Sequence, residues 1–233
     1  MKWTDEKMAQ ELQTLLGKRL VSVVLHGSAA AGDHAGESSD INLLVVTHRL
    51  KLEDFQNLSQ AVVPWVKQGN PPPLFLTQEH LKDFVDVFPV EIADLQGNHR
   101  VLYGADSLKR LAVSRGHLRV ELEHELQGKL LQLKSRFMMT EGKPKLVVKL
   151  MVESLSTFLV LFKAGLWLYK GKPPLKKMDA LRTLKERFSF DIGVFQTVDR
   201  LKRGEKIQGL DALETFKKYL SAIELIADKI NKA

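Results

Sequence analysis

The residues best placed to do chemistry lie in the first fifth of the chain: Gly27 and Ser28, then a stretch rich in Gly, Ala, Ser and Asp, then Asp40-Ile41-Asn42. A glycine directly after a strand lets backbone N–H groups come close to a phosphate, and the Ser28 hydroxyl adds a donor. Asp40 and Asn42 are two residues apart, so at the start of a strand their side chains share one face. Oxygen ligands of this kind, completed by substrate phosphates, suit Mg²⁺. The chemistry to expect is metal-assisted handling of a nucleotide phosphate.

The flanking segments have the composition needed to hold such a corner. Leu20 to Leu25 and Ile41 to Val46 are β-branched, apolar runs that read as buried strands on either side of the Gly27 to Ser39 loop. Met8, Leu12, Leu15 and Leu16 recur at helical spacing ahead of Gly17 and predict a first helix over 4–17. Further elements are expected as a helix over 53–67, a turn or linker at Gly69-Asn70-Pro71-Pro72-Pro73, a strand at 74–76, a helix over 78–85 and a strand over 90–95. After Tyr103-Gly104 the pattern changes to long amphipathic segments over 117–138, 144–169, 178–188, 193–202 and 210–231, an antiparallel helical bundle. The fold class is therefore α+β: an α/β domain over 1–108 with a mixed sheet, then an all-α bundle over 109–233.

His26-Gly27-Ser28, eleven intervening residues and Asp40-Ile41-Asn42-Leu43 resemble the signature of the DNA polymerase beta-like nucleotidyltransferase superfamily. That signature is hydrophobic-Gly-Gly/Ser, a spacer, then Asp-hydrophobic-Asp/Glu-hydrophobic. The two-part layout is similar to that of aminoglycoside-type nucleotidyltransferases, which follow the α/β half with helices. The resemblance implies Gly27 and Ser28 on the nucleotide, Asp40 and Asn42 on Mg²⁺, and ATP or another nucleoside triphosphate as donor. It also implies transfer of a nucleoside monophosphate to a hydroxyl, and a third carboxylate from a neighbouring strand, acting as metal ligand or general base.

Phe88-Pro89-Val90-Glu91-Ile92-Ala93-Asp94 offers two candidates for that third carboxylate. On a strand, Glu91 and Asp94 face opposite ways, so one of them enters the site. Glu91 shares its face with the small Ala93, which leaves room for a ligand, and it is favoured as catalytic residue and third metal ligand over Asp94. Lys149, one turn from Lys145, is a candidate phosphate contact. His26 reads as structural, and Asn98 to Gly104 as a boundary turn in which His99 or Arg100 could reach a phosphate. The Arg110-x6-His117 spacing is a coincidence of position.

The pattern departs from the signature at Asn42, whose neutral amide stands where a second carboxylate would bridge two cations. Two readings follow. One is a Mg²⁺-dependent nucleotidyltransferase with an unknown small-molecule or macromolecular acceptor; the other is a catalytically impaired, antitoxin-like regulatory protein that retains the fold.

Composition bounds the rest. The 233 residues hold no cysteine, which excludes disulfides and cysteine-ligated zinc. No run is long and apolar enough to span a bilayer and the first residues lack a signal-peptide core, so the expectation is a cytoplasmic protein without a membrane partner. Residues 1–110 carry 11 Lys and Arg against 14 Asp and Glu, and residues 111–233 carry 24 against 14. A second half at net +10 does not suit a polycationic acceptor, and it lends weak support to nucleic acid as a partner.

Overall fold

The computed structural model describes residues 3–27, 29–30, 40–169, 174, 177–188 and 190–232, so Ser28 lies outside the described residues. Two compact units divide the chain, Met1–Ser114 and Arg115–Ala233.

In the first unit, α1 (Asp5–Leu16) begins at Thr4, whose side chain accepts from the Lys7 N–H and satisfies one of the open amides of the first turn. It ends at Gly17, where φ of +53° suits a residue without Cβ. A short 3₁₀ turn leads into β1 (Leu20–His26), followed by β2 (Asn42–Thr47), α2 (Leu52–Lys67), β3 (Leu74–Thr77), α3 (Gln78–Val87), α4 (Pro89–Gly97) and β4 (His99–Gly104). The sheet order is β3-β2-β1-β4. β1 runs antiparallel to both neighbours, while β2 and β3 are parallel, so α2 serves as the crossover that a parallel pair needs.

Both faces of the sheet are covered, which is why its central strands are continuously apolar. Val23, Leu25, Leu43 and Val45 pack on Met8 and Leu12 of α1 and on Leu58 and Trp65 of α2. Val24, Leu44 and Val46 pack on Leu81 and Val85 of α3, Ile92 and Leu95 of α4, and Leu108. Leu111 and Val113 lean on this second cluster and bring the segment after β4 into the unit.

Two elements differ from the sequence expectation. Residues 90–95 form a helix, because Pro89 presets the first turn of α4 and the Ile92 N–H donates to Phe88 C=O at 3.1 Å. Val90, Ile92, Ala93 and Leu95 are all buried in this helix, while Glu91 is exposed in its first turn. Asn98 to Gly104 is largely β4, an edge strand, where a boundary turn was expected. Gly104 adopts φ of +75°, and a Cβ there would lie 1.9 Å from the Val21 carbonyl oxygen.

Arg19 donates to the Asp54 carboxylate, joining the turn before β1 to the first turn of α2, and the Lys51 N–H donates to the same carboxylate at 2.9 Å. The Arg19 hydrogen bond, aided by the Lys51 amide, holds the Asp54 pKa below its ordinary value. A carboxylate with a depressed folded-state pKa stabilises the fold above its unfolded pKa of about 4, and the contribution fades as pH falls through the folded pKa. Arg19→Ala is therefore expected to lower the melting temperature at pH 7, and by less at pH 2.5. Thermal scans at the two pH values check it; an equal loss at both would assign the effect to packing.

The second unit consists of α5 (Arg115–Met138), α6 (Pro144–Gly165), α7 (Lys177–Phe188), α8 (Gly193–Lys202) and α9 (Ala212–Asn231). α6 sits at its centre and buries Val147, Met151, Leu155, Phe158 and Phe162 along one stripe. The Phe158, Phe162, Phe195 and Tyr219 rings meet edge to face, and the buried Tyr219 hydroxyl lies 3.1 Å from Ser154 Oγ. Asp211 caps α9 by accepting from the Leu213 and Glu214 N–H groups. No helix among the described residues is long and apolar enough to cross a membrane.

Candidate active site

The ends of β1 and β2 build the corner. His26 and Asn42 are direct cross-strand partners, so their side chains stand on the same face of the sheet, the one covered by α3 and α4. Gly27 follows at φ of +76°, a left-handed conformation that suits a residue without Cβ. A Cβ on Gly27 would sit 3.4 Å from Asn42 Nδ2, an ordinary contact distance, so the positive φ is the feature that favours glycine here. The Ala30 N–H donates to Gly27 C=O at 3.1 Å, closing a turn. Asp40 lies just ahead of β2 with an exposed side chain. Asn42 Nδ2 donates to the Asp40 carbonyl at 3.4 Å, a long bond that a carboxylate at position 42 could not make.

Asn70 is a positioning residue that the sequence did not single out. Its side chain is buried, and Oδ1 accepts the Ile41 N–H at 3.3 Å, pinning the residue between Asp40 and Asn42. Trp65, fully buried at the end of α2, donates its indole N–H to Pro71 C=O at 2.8 Å and fixes the segment that carries Asn70. The available signal was Asn70 followed by three prolines: the proline run fixes the backbone, and an Asn side chain ahead of it is free to bond elsewhere.

On the other side of β1, His99 is the cross-strand partner of His26, giving the row Asn42, His26, His99 across the ends of three strands. His99 donates from Nε2 to Asp106 Oδ2 at 3.1 Å, and Asp106 Oδ1 accepts from the Leu108 and Lys109 amides at 3.0 and 3.1 Å. Burial opposes ionisation of Asp106, but the His99 bond and the two amides outweigh it and keep its pKa below the ordinary value. Burial lowers the pKa of His26, and the negative charge of Asp94 on α4 partly offsets the shift. His26 is therefore neutral at physiological pH.

The expected site residues are distributed unevenly. Gly27, Asp40 and Asn42 come together at the corner. Glu91 does not stand on a strand: it is an exposed residue in the first turn of α4, so the alternation argument for it lapses. On a helix, residues three apart share a side, and Asp94, half-buried one turn further on, is the carboxylate whose charge acts on His26. Lys149 is exposed on α6, 3.7 Å from Glu153. Arg100 points to the opposite face of the sheet, where it pairs with Asp5 at 2.6 Å and Glu6 at 3.8 Å. No cluster of three or more His, Cys, Asp or Glu side chains among the described residues is arranged to hold a metal ion.

No protein-family model matches the chain, and no curated protein matches its sequence. Among solved structures, it is similar to spectinomycin adenyltransferase AAD(9) from Enterococcus faecialis, determined with ATP and spectinomycin. The TM-score is 0.58 at 13% identity, over 94% of this chain and 98% of that one. The chain therefore has the fold of an aminoglycoside-type nucleotidyltransferase, a mixed-sheet α/β unit followed by a helical unit.

Proposed function

We propose that the chain is a nucleotidyltransferase that binds ATP with Mg²⁺ at the Gly27 corner and transfers AMP to a hydroxyl of a small-molecule acceptor. The observation that carries this reading is the His26–Asn42 register pair, which sets Asp40 and Asn42 against the left-handed turn at Gly27. The same fold serves an adenyltransferase solved with ATP, and this supports the choice of nucleotide.

The residues suit a magnesium ion: Asp40 supplies an exposed anionic oxygen and Asn42 a neutral one, and Mg²⁺ completes its shell with water and phosphate oxygens. When bound, the ion supplies charge neutralisation at the phosphates. The protein's own part is to hold the triphosphate against the Gly27 backbone and to keep Asp40 in place through Asn70. In the transfer, the acceptor oxygen bonds to the α-phosphorus, the bond from that phosphorus to the bridging oxygen of the β-phosphate breaks, and pyrophosphate leaves. Asp94, in place of Glu91, is the carboxylate we assign to receive the acceptor proton, on the ground that its charge already reaches His26 at the head of the loop.

Titration calorimetry with ATP and Mg²⁺ tests the reading. We expect binding with a Kd below about 1 mM, weakened when Mg²⁺ is chelated. Absence of binding heat at millimolar ATP would overturn it.

Asn42 favours a second reading, a nucleotide-binding regulatory protein without turnover, since its amide is occupied with the Asp40 carbonyl. Asn42→Asp separates the two. A gain of metal-dependent ATP turnover from a silent wild type supports the regulatory reading, while a wild type that already turns over rejects it.

A further inference from the structure

The first unit carries a concavity of about 910 Å³, within the range of small-molecule sites. It lies between α3 and the segment Ala105–Ala112, at the beginning of β1. Val21 lines it, whereas Gly27 follows the other end of that strand, about 20 Å away at roughly 3.3 Å per residue. It is therefore a separate place from the candidate active site.

The lining combines two chemistries. Val21, Leu81, Val85 and Leu111 give an apolar floor. Lys82, Lys109 and Arg110 stand over it, all exposed, and none of the three forms an ion pair among the described residues. The acidic residues in the wall are already committed: Asp106 to His99 and two backbone amides, and Asp86 to a partner of its own. Three cations against the two carboxylates of Asp86 and Asp106 leave the lining a net charge of +1 beside its apolar side chains, with the cations free of ion pairs among the described residues and Asp106 already engaged by His99 and two amides.

We propose that this cleft binds a small amphiphilic anion, an aryl or other apolar group bearing a phosphate, with the apolar body on Val21, Leu81, Val85 and Leu111 and the phosphate among Lys82, Lys109 and Arg110. The backbone supports the specificity of the site. Gln96 Nε2 of α4 donates to the Leu108 and Leu111 carbonyls at 2.9 and 2.7 Å, and Ser107 Oγ lies 2.7 Å from Ser22 Oγ. The segment that presents Lys109 and Arg110 is thus tied to α4 and β1, and the cations stand on a fixed wall. Asp106 shares that wall and holds His99, so occupancy of the cleft bears on a residue beside His26.

The test is amide NMR titration of the full chain with phenyl phosphate, phenol and inorganic phosphate. We expect phenyl phosphate to shift the amides of Lys82 and of residues 105–112, and to bind at least tenfold more tightly than phenol or inorganic phosphate. Lys109→Glu combined with Arg110→Glu should weaken phenyl phosphate at least tenfold, while Arg110→Lys should retain it. Both substituted residues are exposed, so a dispersed spectrum of the double variant will confirm that the fold is intact. The proposal is overturned if those amides do not move at millimolar phenyl phosphate, if inorganic phosphate binds equally well, or if the double charge reversal leaves affinity unchanged.

Discussion

Replacing Asp40 by alanine should lower kcat/KM for AMP transfer by roughly 10³-fold, with the melting temperature unchanged within about a degree. Asp40 is the one carboxylate among Gly27, Asp40 and Asn42, so its loss leaves the neutral amide of Asn42 as the side-chain oxygen of these three residues. Magnesium held by that amide and the phosphates alone would be weakly placed, and the charge that develops on the transferring phosphoryl group would go largely uncompensated. The side chain is exposed and forms no part of either core cluster, so stability should not follow activity downward. The measurement is initial rate against ATP at several Mg²⁺ concentrations, beside a thermal scan. A variant that retains more than a tenth of the wild-type rate would remove Asp40 from the metal site. Asn70→Ala offers an intermediate case: Asp40 is still present, but the Ile41 amide loses its partner, so a smaller loss of rate is expected.

The second large effect is on folding. Gly104→Ala places a Cβ 1.9 Å from the Val21 carbonyl oxygen and 3.0 Å from its carbonyl carbon, at a φ of +75° that an alanine adopts only under strain. The obstructing atoms belong to the backbone of β1, where no side-chain rotation can relieve the overlap. Either β4 leaves β1 or β1 leaves the core, and a loss of about 3 kcal/mol or more is expected, a large share of the roughly 5–15 kcal/mol that domains have. Urea unfolding of the wild type and the variant measures it. Gly128→Ala is the control: Gly128 lies inside α5 with nothing within 4 Å of an added Cβ, so this change should raise the stability of the helical unit by about 1 kcal/mol through helix propensity. If both substitutions behaved alike, the crowding at Gly104 would have no energetic meaning.

How far the sequence could be read depended on how local each signal was. The runs 20–25 and 41–46 announced β1 and β2 because both strands are buried on two faces and carry scarcely a polar residue. Once those strands were placed, the Gly27 to Asn42 juxtaposition followed from their pairing. The 90–95 segment failed because a short apolar run has no period of its own; Pro89 was the stronger signal and marked the first turn of a helix. With that error went the preference for Glu91, since strand and helix place residues three apart on opposite and on similar sides. β4 was illegible for the opposite reason: as an edge strand it is only partly buried, and its His99 and Arg100 resemble turn residues until their partners, Asp106 and Asp5, are known. Asn70 could be suspected from the three prolines that follow it, but its partner could not be named, because the group it serves is 29 residues earlier in the chain.

The strand order β3-β2-β1-β4 also has a meaning in time. A ribosome delivers β1, β2, α2 and β3 in sequence, and these can join as they emerge, but the outer edge of β1 has to wait for the last strand of the unit, His99–Gly104. During that interval the nascent chain displays an apolar strand with unpaired N–H and C=O groups, the kind of edge that recruits other strands. A chain that stalls or is cut before residue 99 would keep that edge open permanently. Such fragments should form intermolecular sheet where the complete unit does not, which makes β4, the least conspicuous strand in the sequence, the guard against aggregation during synthesis.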